Sequence, residues 1–183
     1  MTDYREQQRT RADVDALKLK TGSNVWLMRR GATLANDAAE TAVFSKTLWG
    51  GVLSTGNLLM LEQHISYLNN SGVNRTFTFK FKYGSTTLFT DAAVYGTSAN
   101  YRFFIYRIKL IASGATNSQL MTVERVVGTE LFLTTTLFAG VATSAEDSTT
   151  DLAVSMTWQH SAAAATVTVE ERLTLANFVG AVS

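Results

Sequence analysis

The chain has 183 residues, no Cys, no Pro, 17% charged residues and a formal net charge of +1. The absence of Cys excludes disulfides, thiolate zinc sites, iron–sulfur clusters and a cysteine nucleophile. The near-zero net charge argues against a protein that binds nucleic acid by neutralising many phosphates. Because hydrophobic residues reach 46%, we expect one domain with a sizeable core, and some apolar surface that meets other copies of the chain.

The chain begins with a polar arm. Residues 1–22 carry many charges, and their apolar anchors are only Val14, Leu17 and Leu19. This segment cannot bury enough surface to fold alone, so it is either a frayed terminus or a segment that orders on a neighbouring subunit or a larger particle. It lacks the apolar core of a signal peptide, and no stretch is long enough to span a membrane, so we expect synthesis in a cytoplasm. The remaining residues, 23–183, are predicted to form one β domain.

Short β-type segments follow Gly22, separated by clusters of Gly, Asn, Ser and Asp. The clearest covers residues 75–83, where four aromatic residues alternate with Thr and Lys, the two-residue period of a half-buried strand. Tyr83-Gly84-Ser85 predicts a tight turn into the next strand. The predicted strands cover residues 24–30, 41–49, 58–68, 75–83, 86–90, 100–112, 118–127, 130–138, 151–160 and 164–178.

Alternation within these segments predicts which side chains share a face. Residues 103–106 are apolar on both faces, so we expect a strand covered by the core on one side and by a neighbouring subunit on the other. Phe104, Tyr106 and Ile108 are expected to pack about a symmetry axis. The sets predicted to share a face are Leu59, Leu61, Gln63, Ile65 and Tyr67; Leu120, Thr122, Glu124 and Val126; Leu152, Val154, Met156 and Trp158; and Val167 with Val169.

Helical signals are weak along the whole chain. Residues 32–41 are the one helix-like stretch, and they fit a long loop equally well. Residues 162–165 have high helix propensity, but their β-branched neighbours favour the start of a strand. Regularly spaced strands without a long amphipathic helix predict an all-β sandwich or barrel.

The charges are unevenly distributed. Residues 75–109 contain six basic residues and one acid, whereas residues 124–183 contain two basic residues and seven acids. Two interpretations stay open. These charges are solvated on strand faces and loops, or the two segments pair within the fold or across a subunit interface.

No arrangement of residues indicates catalysis. His64 and His160 lie in predicted strands without a G-x-S-x-G elbow or a second His at metal-ligand spacing, and we expect His64 to be a surface or interface histidine. The consecutive residues Glu170 and Glu171 point to opposite faces of a strand and cannot share a site. Gly50-Gly51 lacks the Lys-Ser/Thr that completes a phosphate-binding loop. The sequence therefore predicts no catalytic residue, no metal and no cofactor.

Aromatic and basic residues offer weaker signals of binding. Trp158 continues an apolar alternation and is expected in the core. Trp49, at a strand end, and Tyr95 are expected to be exposed, where an aromatic ring can stack on a sugar. Lys80 and Lys82 lie on one strand face, which either contacts nucleic acid or keeps a sheet soluble.

Residues 51–127 carry a resemblance to a known family. Gly56-Asn57-Leu58-Leu59 leads to Lys80-Phe81-Lys82-Tyr83-Gly84-Ser85-Thr86, and the apolar strand 103–110 follows. This order resembles jelly-roll modules of tailed-bacteriophage virion proteins, in which a G-N-x-L strand leads into a K-x-K-x-G-x-T hairpin. The resemblance covers the middle and C-terminal two-thirds of the chain, whereas the arm and the region of Trp26 match nothing in the family.

The resemblance implies an antiparallel jelly-roll sandwich behind an extended arm, and a non-enzymatic virion protein made in the host cytoplasm. Family members are typically homotrimeric capsid decoration (cement) proteins, head fibres, or tail-fibre and receptor-binding tips. The expected partners are further copies of the chain, most simply in a trimer, and the major capsid protein. A tail-fibre role would replace the capsid by a host-surface glycan or protein, and neither role implies a membrane or nucleic acid.

Overall fold

The sequence folds into strands joined by short turns. The computed structural model describes residues 27–29, 31–53, 56–129 and 132–179, and these contain no helix, hence none that could cross a membrane. The predicted arm and Trp26 lie outside the described residues. The described strands are β1 Leu27–Arg29, β2 Thr33–Ala35, β3 Thr41–Leu48, β4 Leu58–Asn69, β5 Arg75–Tyr83, β6 Thr86–Tyr95, β7 Arg102–Ala112, β8 Gln119–Thr129, β9 Phe132–Ser144, β10 Leu152–His160 and β11 Val167–Val179.

These strands form two antiparallel sheets. The larger sheet has the order β1-β11-β4-β7-β8-β9, with β2 also paired to β11, and the smaller sheet has the order β3-β10-β5-β6. The chain passes between the sheets at β2–β3, β3–β4, β4–β5, β6–β7, β9–β10 and β10–β11, so the two sheets enclose one core. The protein is an antiparallel β-sandwich of jelly-roll type, which confirms the predicted fold class.

Aromatic side chains fill the space between the sheets. Phe77, Phe79 and Phe81 of β5 are at most 1% exposed, and Trp158 of β10 is fully buried. The ring of Phe79 stacks on that of Tyr106 across the core, with centroids 3.9 Å apart and planes within 5°. The predicted bounds of β5, its hairpin and the core position of Trp158 are confirmed. The predicted core faces of β4 and β10 are confirmed too. Val167 and Val169 share one face, as predicted, and both are buried in the core.

Several predicted boundaries differ from the structure. β6 continues to Tyr95, five residues beyond its predicted end. Gly128 does not form a turn, because β8 continues through it to Thr129 and pairs it with Phe103 and Leu133. β9 then extends to Ser144, well beyond the predicted end at residue 138. Residues 162–165 form bends and a turn, and β11 begins at Val167. Residues 32–41 contain the short β2 and irregular backbone, so the loop interpretation was the better one.

Candidate interaction surface

The side of the larger sheet that points away from the core carries mostly apolar side chains. Since successive side chains of a strand point to opposite faces, the residues between the core positions form this second face. We call it the outer face. It comprises Leu58, Met60, Glu62, His64, Ser66 and Leu68 of β4; Phe103, Ile105, Arg107, Lys109 and Ile111 of β7; Leu120, Thr122, Glu124 and Val126 of β8; Val141 and Thr143 of β9; and Leu173, Leu175, Asn177 and Val179 of β11.

Strand register arranges these side chains in rows across the sheet. Glu62, Arg107 and Glu124 form a charged row, Lys109 lies in the row beside it, and apolar side chains dominate the first and last of the four rows. The rows run Val179, Leu58, Ile111, Leu120, Thr143; then Asn177, Met60, Lys109, Thr122, Val141; then Leu175, Glu62, Arg107, Glu124; then Leu173, His64, Ile105, Val126. The outer face therefore has a short charged stripe between two apolar areas.

Glu62 organises one end of the charged stripe. Its Oε1 lies 2.5 Å from Nε2 of His64, and its Oε2 accepts a hydrogen bond of 2.9 Å from Nε of Arg107. Burial raises the pKa of the Glu62 carboxyl, but the hydrogen bonds from His64 and Arg107 outweigh that effect and hold the pKa below its usual value. Glu62 is therefore a carboxylate at neutral pH.

The other end of the stripe holds two charges that the described residues leave without a partner. Lys109 and Glu124 are both exposed, and neither makes an ion pair or a side-chain hydrogen bond with another described residue. They lie on neighbouring strands one row apart, because Lys109 is opposite Thr122 and Glu124 is opposite Arg107. They are available to charges of a partner.

A pocket of about 210 Å³ opens in the outer face beside the stripe. Met60, Leu175 and Asn177 line it together with the charged side chains of Arg107 and Lys109. Since an apolar cavity of about 150 Å³ holds a benzene ring, this pocket has room for one large side chain of a partner.

One prediction about β7 is wrong. Phe104 and Tyr106 are fully buried and Ile108 is 1% exposed, so they face the smaller sheet and cannot pack about a symmetry axis. The strand period assigns the outer face to Phe103 and Ile105 instead. The more general prediction, that this strand is apolar on both faces, agrees with the structure.

The two histidines do not form a common site. His64 lies on the outer face, whereas His160 is 1% exposed in the core, where burial lowers its pKa. The expectation of a surface or interface position was made for His64, and its place on the outer face agrees with it. Ser66 shares the face of His64, but its Oγ accepts a hydrogen bond of 2.8 Å from Nε of Arg172. Within the described residues, no three His, Asp or Glu side chains lie close enough to hold a metal ion.

Of the two aromatic residues expected at the surface, one is exposed and the other is buried. Trp49 is 44% exposed at the end of β3, as predicted, but Tyr95 is only 7% exposed. Tyr95 packs against Tyr67 and Phe104, with ring centroids 5.3 Å apart in each pair, and burial raises its pKa to about 12. The prediction for Tyr95 is wrong because β6 continues to residue 95, and alternation places Tyr95 on the inward side of the strand with Phe89 and Ala93.

Glu40 changes the interpretation of the basic strand face. Its carboxylate contacts Nζ of both Lys80 and Lys82 and accepts a hydrogen bond of 2.9 Å from Thr157. The hydrogen bonds from the two lysines lower the pKa of Glu40 to about 2. The single carboxylate thus balances one of the two lysine charges within the fold, which weakens the case for a nucleic-acid contact there. No pattern in the sequence pointed to Glu40, because it lies in the irregular segment before β3.

Most of the basic residues that form ion pairs in the segment 75–109 pair with acids that lie outside both charged segments. Lys80 and Lys82 pair with Glu40, and Arg107 pairs with Glu62, so partners come from outside both charged segments. One ion pair of the described residues joins the two segments, between Nη1 of Arg125 and Oδ2 of Asp91 at 2.6 Å. The interpretation that the segments pair with each other inside the fold therefore holds for that contact alone among the described ion pairs.

Comparison with known proteins finds solved structures that resemble this chain in architecture, but no related sequence. The sequence matches no protein-family model, and no curated protein matches it. A solved structure of the CBM2 module of evolved Dit from Lactobacillus casei BL23 phage J-1 is 8% identical over 88% of this chain and 81% of that chain, with a TM-score of 0.42.

Two further solved structures show the same kind of likeness. Lectin I from Ulex europaeus, in complex with the methyl glycoside of alpha-L-fucose, is 8% identical over 87% of this chain and 94% of that chain, with a TM-score of 0.36. Infectious bursal disease virus, Gx strain, is 11% identical over 86% of this chain and 38% of that chain, with a TM-score of 0.29. At these identities and TM-scores the likeness carries no argument about function.

Proposed function

We propose that the chain is a non-enzymatic structural protein of a tailed-phage particle, a capsid decoration (cement) protein that binds the head as an oligomer. The observation that carries the proposal is the outer face of the larger sheet. Its apolar side chains adjoin one another across five strands, and all but Ile105 and Val126 are at least partly exposed. Contiguous apolar patches, unlike apolar residues exposed singly, mark interaction sites. The resemblance of residues 51–127 to phage jelly-roll modules supports the virion as the setting.

The repeated binding sites of a capsid shell favour a protein that binds through surface contacts alone. A capsid presents the same site many times, so an oligomer that contacts several sites gains avidity from modest single contacts. Such binding requires complementary surface and no catalytic group. The partners in this proposal are further copies of the chain, three in the simplest arrangement, and the major capsid protein.

Co-sedimentation tests the proposal. The purified protein is mixed with shells of the same phage that lack it, and the pellet is assayed for bound chain and for resistance to heat. We expect saturable binding and shells that rupture at a higher temperature. Failure to bind shells at any concentration tested would contradict the proposal.

A receptor-binding tip is the second candidate, and Trp49 is the observation that favours it. This ring is 44% exposed beside the loop that contains Asp147 and Asp151, and Oδ1 of Asp151 accepts a hydrogen bond of 2.8 Å from the Gly50 amide. An exposed aromatic ring next to carboxylates is a common way to bind a sugar. Binding to host cells that is lost in Trp49→Ala, with no binding to shells, would favour this candidate.

A further inference from the structure

We propose that the outer face binds a second copy of the same chain, with Lys109 of one copy beside Glu124 of the other. This inference rests on the proposed function in one respect, since it names a surface through which subunits of the decoration protein associate. Because two identical faces that pack against each other are related by a two-fold axis, this contact joins the copies in pairs and gives a dimer in place of a trimer. Three properties of the outer face lead to it: its area, its apolar rows and its balance of charge.

The area suits a stable contact between two proteins. The outer face spans five strands about 4.8 Å apart and about 37 strand positions at about 3.4 Å per residue. That gives about 600 Å², within the range that each partner contributes to a stable protein interface. A small ligand would cover only the pocket beside Lys109, whereas a second copy would cover the whole face.

The exposed apolar side chains of the outer face favour a partner whose contact surface is also apolar. Val141 is 70% exposed and Val179 is 37% exposed, and both lie at the margins of the face. Ile105 and Val126, by contrast, are below 10% exposed although they point away from the core. A second outer face would bring its own apolar rows against the exposed ones, and a side chain of the second copy would fill the pocket beside Leu175.

The charges of the outer face complement those of an identical face. Glu62 and Glu124 balance Arg107 and Lys109, so the stripe carries no net charge and does not repel a copy of itself. A highly charged partner such as a polyanion would find no net attraction there. Glu62 and Arg107 already pair within one copy at 2.9 Å, which leaves Lys109 and Glu124 to pair between copies. Because a buried charge must be paired, this contact fixes how the two faces align.

Two valines make a matched test of the face. Val141 lies on the outer face of the larger sheet and is 70% exposed, and Val94 lies on the outward side of β6 in the smaller sheet and is 66% exposed. Val141→Asp and Val94→Asp are compared by light scattering after size-exclusion chromatography. We expect wild type and Val94→Asp to form the same oligomer and Val141→Asp to dissociate at least about tenfold more readily, because one buried unpaired charge at an interface costs that much or more. Equal masses for the two variants would overturn the inference.

A charge swap tests the pairing itself. Lys109→Glu places two acids opposite each other in the contact, and Glu124→Lys places two bases there, so each single variant should weaken association. The double variant Lys109→Glu, Glu124→Lys restores opposite charges between copies and should recover most of the wild-type association. A double variant as weak as the sum of the two single variants would contradict the pairing. Far-ultraviolet circular dichroism and melting temperature show whether each variant is folded.

The outcomes separate this inference from the proposed function. A wild-type protein that stays monomeric at about 100 µM would overturn the inference, since interfaces of this area bind with micromolar constants or tighter. Shell binding is measured separately and would then decide the proposed function alone. If Val141→Asp remains oligomeric but no longer binds shells, the outer face belongs to the capsid contact, and the inference is again overturned.

Discussion

At the scale of single residues, Gln63 connects the two sheets through the core. Its Oε1 accepts a hydrogen bond of 3.2 Å from Nε1 of Trp158, and its Nε2 donates one of 3.2 Å to Oγ1 of Thr174. Thr174 in turn donates to Oε1 of Glu171 at 2.5 Å. The alternation in β4 predicted that Gln63 points inward, but no pattern could predict its partners, because they lie on strands about a hundred positions further along the chain.

We expect Gln63→Leu to lower the free energy of unfolding by about 2 kcal/mol, because it leaves the Trp158 N–H and the Thr174 hydroxyl without this partner in a buried place. Urea denaturation measures the change. Gln159→Leu is the matched control, since Gln159 bonds to the Ala38 carbonyl at a partly exposed position where water can replace it. An equal loss in the two variants would contradict the explanation.

Glu40 gives the protein an acid-sensitive contact. Its pKa falls from 4.5 to about 2 in the folded state because of the hydrogen bonds from Lys80 and Lys82. A lowered pKa in the folded state adds stability above pH 4.5, and that stability is lost as the pH falls towards 2.

We therefore expect Glu40→Gln to be less stable than wild type at pH 7, by about 1 kcal/mol or less because the carboxylate is partly exposed. The difference should shrink between about pH 4.5 and pH 2, where wild type also becomes protonated. Thermal unfolding across this pH range measures it. A difference that does not change with pH would mean that the charge of Glu40 is not the cause.

At the scale of elements, strands with strict alternation were predictable and irregular ones were not. β5 and β10 alternate cleanly, so their bounds and core faces followed from the sequence. β11 does not, because a bulge between Glu171 and Leu173 shifts the register. Val167 and Val169 face the core before the bulge, whereas Leu173 and Leu175 face outward after it. A bulge depends on pairing between strands, which a single sequence does not display.

Gly50 permits a close approach between two connections. A Cβ added there would lie 2.0 Å from the carbonyl oxygen of Thr149, so the turn after β3 and the loop before β10 touch backbone to backbone. We expect Gly50→Ala to destabilise the protein by about 1–3 kcal/mol, as overpacking does. Gly96→Ala is the control, since its Cβ would meet only Asn74 Oδ1 at 3.7 Å. Urea denaturation of both variants checks this, and equal stability would contradict it.

At the scale of the whole molecule, the sequence predicted the sandwich and a β7 strand that is apolar on both faces; cover of its second face by another copy stays a prediction. The sequence pattern assigned the wrong side chains to that cover, because an apolar run does not show which of its residues point inward. Pairing with β4 and β8 settles the assignment and places Lys109 and Glu124 on the same face. The two charges are separated by fifteen positions in the sequence, so only the hairpin between β7 and β8 brings them together.

The arm is expected to act separately from the sandwich. Since the inferred contact between subunits lies on the larger sheet, removal of residues 1–22 should leave a folded oligomer. If the arm attaches the protein to its particle, the truncated oligomer should no longer co-sediment with shells. Light scattering and co-sedimentation of the same preparation test both statements. Normal shell binding by the truncated protein would contradict a role of the arm in attachment.

Image reconstruction of the phage head, with and without the chain, tests the central claim most directly. The account predicts β-sandwich density on the outer surface of the shell, in clusters whose larger sheets contact one another through their outer faces. Density for the chain at the tail tip alone, or heads that are identical with and without the chain, would contradict it.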